Sequence, residues 1–199
     1  MLEPRDRLLL FEALRPPEGF RFDQGIGTTY TLDLLALLTA PLAFTWFAQD
    51  GDEGQARSLN SLEILESLRR HADRLTIFCH AGRIALPKAA YPQLAFVEES
   101  IVECLPAEGG AFHPKVWVLR WVNDAGEVRY RVLCLSRNLT FARAWDTLLA
   151  LDGTLTPNRK AAIATNRGLV DFVRALPGCA LRQPVSAGIA QRAERLASE

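Results

Sequence analysis

The stretch that most constrains the fold of this 199-residue chain is 112–136. It holds two runs of alternating β-branched and aromatic residues, FHPKVWVLRWV and VRYRVLCLS, on either side of NDAGE. Alternation at period two sends successive side chains to opposite faces, and a short glycine-containing turn between two such runs signals a hairpin. Residues 20–31 (FRFDQGIGTTYT), 74–80 (RLTIFCH) and 147–153 (TLLALDG) also read as strands, and 94–105 contains a further strand signal. Helical patterns lie between them. One covers 5–14 and stops at Pro16 and Pro17. The next, 32–47, is apolar almost all round, as suits a helix against a sheet. A third starts from Ser58 or Asn60 and runs to about residue 72, with Leu62, Leu65 and Leu68 at helical spacing. A fourth spans 164–176 and ends at Pro177 and Gly178, and 49–57 and 81–93 read as loops. The expected fold is therefore α/β, a mixed β-sheet sandwiched between helices. One module would occupy 1–184, and 185–199 would form a polar, helix-compatible tail or the start of a linker.

Composition narrows the function classes. At 49% hydrophobic the chain can bury a core, which excludes disorder as its main state. Its 23 basic and 23 acidic residues cancel. That balance excludes a generally basic nucleic-acid coat, leaves room for a local basic cleft and does not oppose self-association. The apolar run Leu34 to Phe47 is too short to span a bilayer and is interrupted by Pro41. The start, MLEPRDRLLLFEALRPP, lacks the pattern of a secretion signal. A cytoplasmic protein without a membrane partner is expected. Cys79, Cys104, Cys134 and Cys179 are too widely spaced for a structural zinc site and read as free thiols.

Gly25-Ile-Gly27 follows a strand, but a dinucleotide loop would want glycine where Tyr30 stands, so a tight strand bend is the expectation. The sharper constellation is His113-Pro-Lys115, then Ser136-Arg-Asn138-Leu-Thr140, then Trp145-Asp146. Alternation puts His113 and Lys115 on one face. An imidazole beside an ammonium is costly unless an anion lies between them, and a phosphate would satisfy both. Asn138 could donate an amide hydrogen bond to the same anion. Asp146 could accept from the other ring nitrogen of His113 and fix its tautomer. Ser136, Arg137 and Arg143 flank the site as candidate substrate contacts, and Thr28, Thr29 and Tyr30 could meet it from the first strand. His71 is expected to be solvated, His80 to be a hydrogen-bonded loop residue, and Trp117, Trp121 and Trp145 to pack in the core.

HPKVWVL, LSRNLT and WDTLLALDG together resemble one catalytic half of the phospholipase D superfamily. GTTYTLDLLALL resembles the first strand and helix of bacterial phospholipase D-like proteins, including ones linked to DNA restriction and phage defence. The resemblance covers most of 20–175. It implies a phosphodiesterase, foremost a nuclease, needing no metal and no cofactor. His113 would attack phosphorus to form a phosphohistidine, Lys115 and Asn138 would neutralise the phosphoryl oxygens, and Asp146 would hold the imidazole. The family often has Asp five residues after the Lys, and Arg120 stands there instead. The family site uses two such motifs and this chain has one. A second half is therefore implied, from another copy or from a longer natural chain. Two other readings stay open: a degenerate half that serves as a dimerisation or nucleic-acid docking module, and a lipid phosphodiesterase.

Overall fold

A computed structural model describes residues 10–48, 61–106, 109–142 and 144–199. Six strands form one mixed sheet in the order β5-β3-β1-β6-β7-β8. They are β1 (Arg21–Thr29), β3 (Leu75–His80), β5 (Ile101–Cys104), β6 (Val116–Val122), β7 (Val128–Leu135) and β8 (Leu148–Thr154). The first three run parallel, and β6, β7 and β8 add to them antiparallel. Two short strands, β2 (Leu32–Asp33) and β4 (Ile84–Ala85), pair separately. Helices cover both faces, so the α/β sandwich expected from the alternation is the architecture observed.

The two faces have separate cores. Trp117, Leu119 and Trp121 of β6 join Phe22, Leu75, Ile77 and Cys79 under α1 (Leu10–Ala13), α2 (Leu34–Leu37), α3 (Thr39–Ala48) and α4 (Ser61–Ala72). On the other face, Ile26, Phe78, Val102 and Val118 meet α6 (Arg167–Ala175) and α7 (Ala187–Ser198), with α5 (Arg159–Thr165) beside them. The 185–199 segment, expected as a polar tail, contains α7, which buries Ile189, Ala193, Leu196 and Ala197. Its end is tied to the sheet. Buried Arg120 donates to Asp23 at 2.6 Å and to Glu199 at 2.7 Å, and the Tyr130 hydroxyl donates to Glu199 at 2.7 Å. Arg120 therefore joins α7 to the sheet, on the far side of β6 from the tryptophans.

Other boundaries shift for local reasons. The apolar run 32–47 breaks at Leu38 into α2 and α3, because Pro41 lacks the N–H that would bond the Leu37 carbonyl and crowds that carbonyl. Asp33 caps α2, accepting from Leu35 and Ala36. The 94–105 signal is strand only over Ile101–Cys104, after 3-10 turns at Pro92–Phe96 and Glu98–Ser100. The 164–176 pattern splits between α5 and α6 at Asn166. Ser58 and Asn60 lie outside the described residues, as does the 49–57 loop. Gly25 and Gly27 form no bend or cofactor loop. They sit inside β1, where a Cβ at Gly27 would lie 2.7 Å from Ile77 and 3.0 Å from Trp117.

His71 is buried, contrary to the solvated position expected from its polar neighbours. Its ring lies 5.7 Å from those of Phe22 and Phe44, and its Nδ1 bonds the Ser67 carbonyl at 2.9 Å. Burial pushes its pKa down to about 4 from an ordinary 6.5. The unfolded chain therefore binds the extra proton first. Stability present above pH 6.5 is lost as pH falls towards 4, by on the order of 3 kcal/mol. Urea denaturation at pH 7 and pH 5 should show this loss, and His71→Gln should flatten it. An unchanged pH slope in that variant would exclude His71 as the source.

Candidate active site

His113, Lys115, Asn138, Thr28 and Thr29 lie where β1 and β3 end and β6 begins. Open α/β sheets bind ligands outside the carboxyl ends of their parallel strands, where strand order reverses. Here the chain moves from β1 to β3 and β5 on one side, then returns to place β6 on the other. Pro114 shapes the approach to β6. It holds His113 in an extended conformation and cannot donate to a ladder, so regular pairing starts only at Val116. The extended path places His113 and Lys115 side by side. Lys115 Nζ lies 3.0 Å from Nδ1 and 3.3 Å from Nε2 of His113, and it donates to the His113 carbonyl at 3.2 Å.

The electrostatics of this pair are unbalanced. Lys115 is buried, with 8% exposure, while His113 is exposed. Neither is in an ion pair with a carboxylate among the described residues. Burial pulls the Lys115 ammonium below the ordinary lysine value. A buried cation facing an exposed imidazole, with no counterion, suits an anionic ligand.

Asn138 reaches the site from the end of β7. Its Oδ1 accepts from the Tyr30 backbone N–H at 3.2 Å, which leaves its NH2 group to donate. The tie is reinforced next door, where Leu139 N donates to Thr29 Oγ1 at 2.9 Å and Asp33 N donates to the Leu139 carbonyl at 2.9 Å. Thr28 and Thr29 are fully buried. The Thr28 hydroxyl bonds both the N–H and the carbonyl of Val116, and the Thr29 hydroxyl donates to the Thr31 carbonyl. These two threonines frame the site, and their polar atoms are already engaged.

Asp146 is placed differently from the expectation. Its Oδ1 accepts from Ser136 N at 2.9 Å, Ser136 Oγ at 2.5 Å and Arg137 N at 3.0 Å. It does not bond the His113 imidazole. A short carboxylate satisfied by three local donors is held where those donors are, and it closes the 136–147 loop. Arg137 serves the same loop, donating to the carbonyls of Thr140, Ala142 and Ala144. Arg143 lies outside the described residues. Trp117 and Trp121 are core residues, but Trp145 is 81% exposed, correcting its expected burial.

A ring series was not anticipated. The Tyr30 ring sits 5.0 Å from that of His80, stacked at 27°, and 5.0 Å from that of His113. Arg83 lies over the same ring at 5.5 Å. His80 Nδ1 accepts from Phe112 N at 3.2 Å. Parallel register, which the structure supplies, makes this pairing. Thr29 pairs with Cys79, so TTY and FCH end at one level and bring Tyr30 and His80 together.

No family model matches this sequence, and no curated protein sequence does either. Among solved structures the fold matches yeast tyrosyl-DNA phosphodiesterase, with a TM-score of 0.50 and 15% identity over 95% of this chain and 38% of that one. A mutant of the same yeast enzyme matches with a TM-score of 0.48 and 16% identity, over 96% of this chain and 38% of that one. The chain thus spans a little over a third of the length of these structures. The fold is the phospholipase D-like one.

Replacing Lys115 tests the unbalanced cation. Because its pKa is lowered in the folded state, the unfolded chain binds the proton more tightly, and at neutral pH the burial opposes folding. Lys115→Met should raise the unfolding free energy at neutral pH and weaken any binding of inorganic phosphate. Urea denaturation and phosphate titration check the two effects, and a destabilised variant would show the ammonium to be structural.

Proposed function

We propose that this chain supplies one catalytic half of a metal-independent phosphodiesterase acting on nucleic acid, a nuclease that works through a phosphohistidine. The observation that carries this reading is buried Lys115, without a carboxylate partner among the described residues, 3.0 Å from the ring of exposed His113. A phosphodiester supplies the missing negative charge and puts phosphorus beside the imidazole. The His113 ring nitrogen attacks phosphorus, and the bond to the leaving oxygen breaks as a histidine from a second half protonates that oxygen. Lys115 and the Asn138 amide hold the non-bridging oxygens. Water then adds to phosphorus, gives its proton to the second histidine, and the P–N bond breaks. Asp146 contributes through the loop that carries Asn138. Nucleic acid is favoured as substrate by the fold shared with a tyrosyl-DNA phosphodiesterase. The setting implied by the sequence resemblance is DNA restriction or phage defence.

The second half is proposed to be another copy, or a further segment of a longer natural chain. β8 ends the sheet, and among the described residues its outer edge pairs with no strand. Leu149 and Leu151 on β8 are each 55% exposed, and Phe141 and Trp145 are exposed in the preceding loop. Exposed apolar groups at an open edge suit contact with another copy, but the contact that completes the site has to bring the second histidine to the phosphorus beside His113, at the ends of β1 and β3. A degenerate docking half is the second reading, favoured by the Asp146 carboxylate lying away from His113. In the lipid alternative, hydrolysis of a lipid head group but not of DNA would reverse the order.

His113→Ala should abolish hydrolysis of a generic phosphodiester and leave the circular dichroism spectrum unchanged. Wild-type activity should persist in excess chelator. Activity lost in chelator and restored by a divalent ion would overturn the mechanism, and nucleic-acid binding without hydrolysis would establish the docking reading.

Sedimentation of the 199-residue chain, with activity measured on the same fractions, tests assembly. Activity should track the dimer. A monomer cleaving at full rate would remove the need for a second half.

A further inference from the structure

With Asp146 bonded elsewhere, the orientation of His113 needs another source. We propose that His80 and Tyr30 are the positioning residues for His113. The inference rests on the reading of His113 as the nucleophile and concerns how that ring is held. Two independent contacts converge on it. The backbone N–H of Phe112, the residue directly before His113, donates to His80 Nδ1 at 3.2 Å. The centroid of the Tyr30 ring lies 5.0 Å from that of each imidazole.

The chemistry of the first contact fixes the state of His80. A nitrogen that accepts from an amide carries no proton, so the neutral His80 ring has its proton on Nε2. His80 is in turn fixed from the sheet, because its own backbone N–H donates to the Tyr30 carbonyl at 3.3 Å. Tyr30 is fixed on both sides, by this bond and by the Asn138 Oδ1 that accepts its N–H. The result is a closed frame. The ends of β1, β3 and β7 meet at Tyr30, and the segment bearing His113 is docked on it through one hydrogen bond and one ring contact. Aromatic pairs at this separation favour a defined relative orientation. Lys115, with Nζ 3.0 Å from Nδ1 of His113, adds a further restraint. A catalytic ring misplaced by about 1 Å can lose on the order of a hundredfold in rate, so a frame of this kind has a measurable consequence.

Imidazole ¹⁵N NMR is the primary test, because the chain has three histidines and single substitutions assign each ring. The wild-type chain should show His80 as the Nε2–H tautomer. His80→Ala leaves the Phe112 N–H without its acceptor, and it should shift and broaden the His113 ring signals. In the active assembly it should lower kcat at least tenfold with KM changed less than twofold. His80→Asn, whose Oδ1 can accept the same N–H, should restore both readouts to within about threefold of wild type. Tyr30→Phe keeps the ring and should match wild type, while Tyr30→Ala should resemble His80→Ala. Unchanged His113 signals in both alanine variants, or a His80→Asn variant as impaired as His80→Ala, would overturn the proposal. Should His80→Ala fail to fold, the Tyr30→Phe and Tyr30→Ala pair decides it alone. A His113→Ala chain with full activity would refute the nucleophile, whereas the NMR comparison would still report how His113 is held.

Discussion

The close approach of β1 and β6 governs the rest of this molecule. Large rings on β6 need room on one face, and β1 provides it by carrying glycine at positions 25 and 27. A Cβ at Gly25 would meet Leu119 at 2.9 Å, and one at Gly27 would meet Trp117 at 3.0 Å. Overpacking a close-packed core costs ~1–3 kcal/mol, so the two glycines and two large side chains form one packing unit. A bulge between Phe22 and Gln24 sets the register of that unit. It lets Phe22 and the two glycines share a face although they differ in parity along the strand. The register then places Thr28 against Val116, and so places the His113–Lys115 segment just past the end of β1.

The site inherits its precision from these strand ends. Asn138, Tyr30 and His80 are each held by backbone hydrogen bonds at the termini of β7, β1 and β3. The 136–147 loop is held by its own bonds, through Ser136, Arg137 and Asp146. Side chains locked by a rigid scaffold hold a reactive geometry better than mobile ones do. The two tethers meet at Asn138, which starts the loop and bonds to the strand end.

Much of this was legible in the sequence, for identifiable reasons. Alternation in 112–136 revealed the hairpin, and His-x-Lys across a proline marked two side chains that the structure brings together, because both patterns are local. The pairing of Tyr30 with His80 was not visible in that way. It depends on register between parallel strands about fifty residues apart, and composition carries no record of register. His71 misled for a related reason. Its neighbours Arg69 and Arg70 are exposed and bond Glu66, but the helical turn sends His71 inward onto Phe22 and Phe44. Trp145 misled in the opposite sense, since a large ring next to a strand is usually buried. Asp146 was assigned to the imidazole by its type and order in the chain, yet three donors lay closer in sequence, on Ser136 and Arg137.

The position of Asp146 has an electrostatic consequence. A carboxylate ~4 Å from an ammonium is attracted by roughly 4 kcal/mol at an effective dielectric of about 20. Binding an anion with a millimolar dissociation constant releases about the same free energy. A carboxylate placed against Lys115 would therefore cancel most of the attraction that the proposed phosphodiester substrate would feel there. The bonds from Ser136 and Arg137 hold this acid in the loop, and among the described residues Lys115 has no counterion. The polar frame of Tyr30 and His80 then suits the task better than an acid would. It can restrain the His113 ring through a neutral acceptor and an aromatic face, neither of which competes with the ligand for the ammonium. Orientation and charge are thus separated in this site, with one supplied by strand ends and the other by a buried lysine.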